Sequence, residues 1–190
     1  MRRLLLAAAL TTPLLGACGA ALAQTPAPAP AAAPTPAPAP APTPVVRAAL
    51  KTADGSDAGT VTGFEGPMGM IFRVEGKGWP AGWHATHLHA VGKCEGPGFT
   101  SAGGHVNHAE ARPHGLLNAN GGPDLGDLQN VWAHADGSAH AEVYLAGADH
   151  SLMDGDGLSF LVHANRDDHV SQPIGGAGAR IACGVFERVG

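Results

Sequence analysis

The sequence predicts an all-β fold: a Greek-key β-barrel or sandwich of about eight antiparallel strands with two long functional loops. Three observations carry this expectation. Glycine is frequent, 28 of 190 residues, while aromatic residues are sparse at 5%. Few stretches hold the 3.6-residue periodicity of a long amphipathic helix. Apolar runs are short, alternate with polar residues and are punctuated by turn signals.

The elements follow in order. Val45–Thr52 alternates apolar and polar residues, and Ala53-Asp54-Gly55 turns the chain. Gly59–Phe64 and Met68–Val74 read as strands separated by Gly66-Pro67. Trp83–His89 reads as one further strand, introduced by Pro80-Ala81-Gly82. Residues 90–129 are rich in Gly, Pro and Asn and have little periodicity, so they form a long loop, the kind that carries function in a compact domain. Asn130–His134 and Ser138–Leu145 flank Ala135-Asp136-Gly137, a hairpin signal. Leu158–Ala164 is a strand, 165–179 a second long loop, and Arg180–Glu187 the closing strand.

The amino terminus is an export address. Arg2 and Arg3 precede the apolar run Leu4–Leu15, which is too short for a stable membrane span. Two cleavage readings stand: Leu15-Gly16-Ala17-Cys18 matches a lipobox that would lipidate Cys18, and Ala21-Leu22-Ala23 matches an ordinary signal-peptidase site. The expected organisation is a signal peptide over 1–23, a Pro/Ala-rich linker over 24–44 and one domain over 45–190. The linker favours extended polyproline II, about 3.1 Å per residue. A stalk is most useful when its far end is anchored, which favours a lipid tether through Cys18, with the protein in the periplasm.

Composition limits the partners. The net charge is −5, or −7 once Arg2 and Arg3 are set aside. No general basic surface exists for nucleic acid, so none is expected as a partner. Cys94 and Cys183 remain after export. They are either a disulfide closing a loop of about 90 residues or two buried thiols, and an oxidising compartment favours the bond. The chain is expected to be a monomer or a homodimer.

All 11 histidines lie from His84 onward. His87 and His89 are two apart on a strand, so both imidazoles leave one face while Thr86 and Leu88 take the other. A lone His-x-His is a weak metal signal. The surrounding segment Trp83–Cys94, WHATHLHAVGKC, resembles the copper-binding strand of copper/zinc superoxide dismutases of the bacterial periplasmic type, which reads H-G-F-H-x-H-E-x-G-x-C. Ser101-Ala102-Gly103-Gly104-His105 resembles that family's approach to its metal-bridging histidine, with His114 nine residues later. Leu125-Gly126-Asp127-Leu128 resembles its zinc-aspartate segment, and Leu161-Val162-His163 its last copper strand. Gly176–Val185, GAGARIACGV, resembles its closing strand.

The resemblance implies an enzyme that converts superoxide to oxygen and hydrogen peroxide by alternate reduction and oxidation of a His-bound copper. It implies copper ligands His87, His89, His105 and His163, and zinc ligands His105, His114, Asp124 and Asp127. It implies that Asp167 orients one histidine of each metal, that Arg180 draws the substrate anion to the channel mouth, and that His105 carries a proton. Imidazole suits copper, and zinc without redox chemistry holds geometry. An exported copper-buffering protein of the same fold is the alternative, but a store needs no anion guide such as Arg180.

Some positions depart from the pattern. Asp124 stands where the family has a third zinc histidine, which predicts a more anionic site that holds zinc less tightly. Ala85, Thr86 and Ala90 replace Gly, Phe and Glu of the copper strand. His84 is expected to be a hydrogen-bonded structural residue, His108 an exposed loop residue, and His134, His140, His150 and His169 surface residues.

Overall fold

Alternation decides which face of each strand is buried. The computed structural model describes residues 40–189; the export segment 1–23, its Cys18, and residues 24–39 of the linker lie outside the described residues. In β1 (Val46–Thr52), Val46, Ala48 and Leu50 point inward while Arg47, Ala49 and Lys51 face solvent. The same period runs through β2 (Asp57–Gly66) and β3 (Gly69–Gly76), where Val61, Met70, Phe72 and Val74 are buried. The chain continues through β4 (Gly82–His84), β5 (Thr86–His89), β6 (Val131–Ala133), β7 (Ala139–Ala146), β8 (Ser159–His163) and β9 (Arg180–Arg188).

The strands form one antiparallel sheet in the order β4-β6-β7-β3-β2-β1-β9-β8-β5. Because β4 and β5 are consecutive in the chain, the two ends of that order meet and the barrel nearly closes. The first three strands form a meander, and the chain crosses over from β3 to β4 and again from β7 to β8, as a Greek key requires. The interior is filled by Leu50, Phe72, Leu88, Phe160, Val162 and Phe186. Phe72 and Phe186 pack with ring centroids 5.6 Å apart, a separation at which aromatic pairs add to area burial.

The all-β expectation holds, with one correction: nine strands replace about eight, because Trp83–His89 breaks at Ala85. The Ala85 amide donates to the Asn165 carbonyl at 2.8 Å, and the Ala85 carbonyl accepts from the His163 amide at 2.9 Å. The strand thereby leaves its partner β6 and takes β8 as its new one. This is the seam of the barrel, and no local sequence pattern marks it. The two long loops stand between β5 and β6 and between β8 and β9, the first interrupted only by a single 3₁₀ turn at Thr100–Ala102.

Cys94 and Cys183 form a disulfide, with Cα atoms 5.6 Å apart, that ties the first long loop to β9. Beside it, Phe99, Ala102 and Leu161 make a small second core under that loop. The bond closes a loop of 89 positions, for which the chain-entropy account gives about 4–5 kcal/mol. Replacing both cysteines by serine is therefore expected to lower the melting temperature by about 8 °C or more in calorimetry. Equal melting temperatures for the two proteins would show that the loop is held by packing alone.

Candidate metal centre

One strand places the first two imidazoles, and the loops must bring the rest to it. β5 is buried along its whole length, since the first long loop covers the edge that β8 does not pair. The Leu88 amide donates to the Gly126 carbonyl at 2.9 Å, and the Leu88 carbonyl accepts from the Val106 amide at 3.0 Å. Isolated bridges pair His87 with Asp127 and His89 with His105. Gly126 has no room for a side chain here: a Cβ would stand 2.5 Å from the Leu88 carbonyl oxygen and 2.8 Å from His105 Cβ. Thr86 and Leu88 point away from the site, Thr86 Oγ1 donating to the Gln129 carbonyl at 2.8 Å and Leu88 joining the core.

Four imidazoles converge. The ring of His87 lies 4.2 Å from that of His105 and 4.9 Å from that of His163, and the rings of His89 and His105 are 5.1 Å apart. Each ring is oriented by the nitrogen that faces away from the cluster. His89 Nδ1 contacts the Gly103 carbonyl at 2.9 Å, His163 Nδ1 the Gly178 carbonyl at 3.2 Å, and His87 Nε2 the Asp167 carboxylate at 2.8 Å. The facing atoms, His87 Nδ1, His89 Nε2, His105 Nε2 and His163 Nε2, are buried without a hydrogen-bond partner. Buried nitrogens are rarely left so; His87, His89 and His105 each offer an atom within 4.8 Å of the others, which suits an ion that takes imidazole donors, and the His163 ring stands beside them, 4.9 Å from that of His87.

The electrostatics agree with a set of neutral donors. Burial pushes the His89 imidazole down to about 2, against the Gly103 carbonyl that would raise it. Burial likewise pushes His163 down to about 3 and lowers His87, where Asp167 offsets only part of the effect. Neutral imidazole is the metal-binding form.

A second group adjoins the first through His105. His105, His114, Asp124 and Asp127 each offer an atom within 4.8 Å of the others. His105 Nδ1 lies 2.9 Å from Asp124 Oδ2 and 3.7 Å from Asp127 Oδ1. His114 Nδ1 and Asp127 Oδ1 lie against each other without the alignment of a hydrogen bond, as atoms aimed at a common third point do. Burial opposes a charge on His114, but the carboxylates of Asp127 and Asp167 outweigh it and push the imidazole up to about 10. Such an anionic pocket favours positive charge, and its nitrogen and carboxylate donors suit zinc.

Asp167 joins the two groups. Its Oδ2 accepts from His87 Nε2, and its Oδ1 lies 3.1 Å from His114 Nε2. Burial would raise its carboxyl, but the hydrogen bonds from His114 and His87 override this and hold it far below the usual carboxylate range. Arg180 lines a cleft of about 390 Å³ that also meets His89, His105, His114 and Asp124. Its guanidinium donates to the Phe99 carbonyl at 2.6 Å and to the Gly103 carbonyl at 2.7 Å.

The remaining histidines sort as expected, with two corrections. Both ring nitrogens of His84 meet carbonyl oxygens, of His163 at 2.7 Å and of Pro80 at 2.6 Å, so it is structural. His134, His140 and His150 are exposed; His108 joins no metal group among the described residues, but it is half-buried rather than exposed as expected, because the tight 107–112 loop folds back on itself. His169, expected at the surface, is only 13% exposed in its side chain. Its left-handed backbone, φ 63°, folds the ring back over Asp167, where Nε2 meets Asn130 Nδ2 at 2.9 Å.

Two positioning residues carry no sequence signal. Asn130 Oδ1 accepts from the Asp167 amide at 2.8 Å while its Nδ2 donates to the Asp167 carbonyl at 2.9 Å. Gln172 holds His114 the same way, Oε1 accepting from the amide at 3.1 Å and Nε2 donating to the carbonyl at 2.8 Å. Each side-chain amide does for a loop residue what a neighbouring strand does for a ladder residue.

Comparison with known proteins gives a consistent result. A family profile described as copper/zinc superoxide dismutase (SODC) matches residues 58–186. The chain is 52% identical over 147 residues to the Cu-Zn superoxide dismutase of Caulobacter vibrioides, covering 74% of this chain and 84% of that protein. The structure of Cu/Zn superoxide dismutase from Brucella abortus matches with a TM-score of 0.61 and 30% identity over 74% of this chain and 98% of that one. A SOD-like protein from Bacillus subtilis matches with a TM-score of 0.68 and 28% identity over 73% and 96%.

The Asn130 clamp can be tested without touching a candidate ligand. Asn130→Ala is expected to weaken copper and zinc binding by about tenfold, the usual scale for partners that orient ligands. Metal affinity measured by competition with a chelator checks this. Wild-type affinity in the variant would show that Asp167 needs no such support.

Proposed function

The chain belongs to the copper/zinc superoxide dismutase family, and from that premise we propose which of its residues perform each part of the reaction. The protein is a superoxide dismutase: two superoxide anions and two protons become oxygen and hydrogen peroxide. The reaction needs a centre that both accepts and returns one electron, and bound copper supplies that couple. Copper would be held by His87 Nδ1, His89 Nε2, His105 Nε2 and His163 Nε2. The observation that carries this assignment is that these four buried nitrogens, on adjoining rings, have no hydrogen-bond partner.

Each remaining residue has a task of its own. Arg180, fixed by the Phe99 and Gly103 carbonyls, presents positive charge in the cleft and draws in the anion. His105 faces both groups, and its Nε2 would hold a proton for the product only while it is not bound to copper, since one nitrogen cannot hold both. Asp167 keeps the non-ligand nitrogens of His87 and His114 protonated and so fixes which nitrogen each ring offers. Zinc would be held by His105 Nδ1, His114 Nδ1, Asp124 and Asp127, a donor set that fixes the orientation of His105. Asp124 adds a buried carboxylate in place of a neutral imidazole, so zinc is held less tightly than by three histidines and one aspartate. Arg180 in the cleft argues against a copper store without turnover, which needs no anion guide.

Location belongs to the same proposal. The disulfide is consistent with export. Residues 1–23 direct that export, 24–44 act as a stalk, and 45–190 form the enzyme. Lipidated Cys18 anchors the stalk to a membrane facing the periplasm.

Two experiments test these assignments. The mature protein loaded with copper and zinc is expected to dismute superoxide with release of peroxide, and His89→Ala to abolish this. Undiminished turnover in that variant would overturn the copper assignment. Cys18→Ser is expected to move the protein from the membrane pellet to the soluble periplasmic fraction. A fully soluble wild type beginning at Gln24 would end the lipoprotein reading.

A further inference from the structure

Asn130 and Gln172 are not the only side-chain amides that grip a single loop residue from both sides. Asn107 does the same to Arg112: its Oδ1 accepts from the Arg112 amide at 2.9 Å, and its Nδ2 donates to the Arg112 carbonyl at 2.9 Å. Asn107 Oδ1 also accepts from the His108 amide at 2.8 Å, which closes residues 107–112 into a tight loop. The other two clamps hold Asp167 and His114, both parts of the metal centre. The third holds an arginine with no part in it. Arg112 is exposed, yet it lines the same cleft as Arg180, His89 and His105. Its guanidinium enters no ion pair among the described residues.

We propose that Arg112 is a second anion guide at the mouth of the metal cleft, with Asn107 as its positioning residue. The proposal rests on the dismutase reading of that cleft. The physical need is plain: the whole chain carries a net charge of −5, and Asp124, Asp127 and Asp167 lie at the centre. The long-range field therefore opposes an approaching anion, and local cations at the entrance must reverse it. The two arginines divide the work. Arg180 is pinned by two carbonyls beside the copper ligands, whereas Arg112 keeps a free, solvated head on a fixed backbone. A solvated charge acts on the rate of encounter and is screened by salt.

The test uses the full mature protein loaded with copper and zinc, and its Arg112→Glu, Arg112→Lys and Asn107→Ala variants. Two quantities are read across ionic strength: kcat/KM for superoxide, and the affinity of azide for the copper by absorption titration. Arg112→Glu is expected to lower kcat/KM by about threefold at low ionic strength, the scale of a two-charge change acting through water near a Debye length. The difference should vanish toward 1 M salt, where the Debye length is about 3 Å. Arg112→Lys should keep the wild-type salt slope, azide affinity should weaken with Arg112→Glu, and Asn107→Ala should flatten the slope with metal content unchanged. Coincident wild-type and Arg112→Glu values at low salt, for turnover and azide alike, would overturn the proposal. A wild-type slope in Asn107→Ala would overturn the positioning role. If no protein turns over superoxide but azide affinity still follows the charge at Arg112, the guide stands and the dismutase reading fails.

Discussion

The carboxylate of Asp167 is the interaction on which the metal centre depends. It is buried, it touches one imidazole from each metal group, and its charge determines which nitrogen of each ring carries the proton. With His87 and His114 so oriented, their Nδ1 atoms face inward as donors. A neutral residue at 167 would leave both rings free to flip, and a buried imidazole with the wrong tautomer is no ligand. The packing around Asp167 leaves it no freedom. Gly175 is pressed so closely against it that a Cβ would stand 1.6 Å from Oδ1, and its left-handed φ of 61° reinforces the need for glycine.

The fold solves a problem that its own topology creates. A Greek-key barrel supplies a rigid wall, but it leaves the candidate ligands His105, His114, Asp124 and Asp127 on a loop with only isolated bridges to β5. Three devices replace the ladder. The loop backbone bonds to the free edge of β5 at Leu88. The disulfide and the Phe99 cluster pin its first segment to β9. Side-chain amides from Asn130, Gln172 and Asn107 each satisfy both backbone groups of one residue. Buried backbone groups must find partners, so a long ordered loop recruits them from side chains when no strand is near.

How much of this was legible in the sequence depends on the range of the interaction. Strand alternation and turn residues are local, so β1, β3, β7 and the Asp136-Gly137 hairpin could be read directly. The spacing of His87 and His89 fixes a shared face within one strand. The break at Ala85 could not be read, because it reflects a change of partner between β6 and β8 rather than any residue property. His169 was misplaced for a similar reason: its burial follows from one left-handed residue that turns the ring inward. The amide clamps are invisible in sequence, since Asn130 reaches Asp167 across 37 positions and Gln172 reaches His114 across 58. The candidate ligands on loops were legible only through resemblance to a family.

Burial and access pull against each other at this centre, and one carbonyl mediates between them. Burial keeps His89 and His163 neutral and so able to bind metal. The substrate is a charged species that must still reach them through the cleft. The Gly103 carbonyl accepts from His89 Nδ1 on one side and from Arg180 Nη2 on the other. His89 and Arg180 thus share one acceptor, so neither can shift without disturbing the other. Gly103 lies between the disulfide at Cys94 and His105, on the segment whose position the Phe99 cluster sets. The covalent tie therefore acts at a distance on both the orientation of the His89 imidazole and the placement of the Arg180 charge, through a single peptide oxygen.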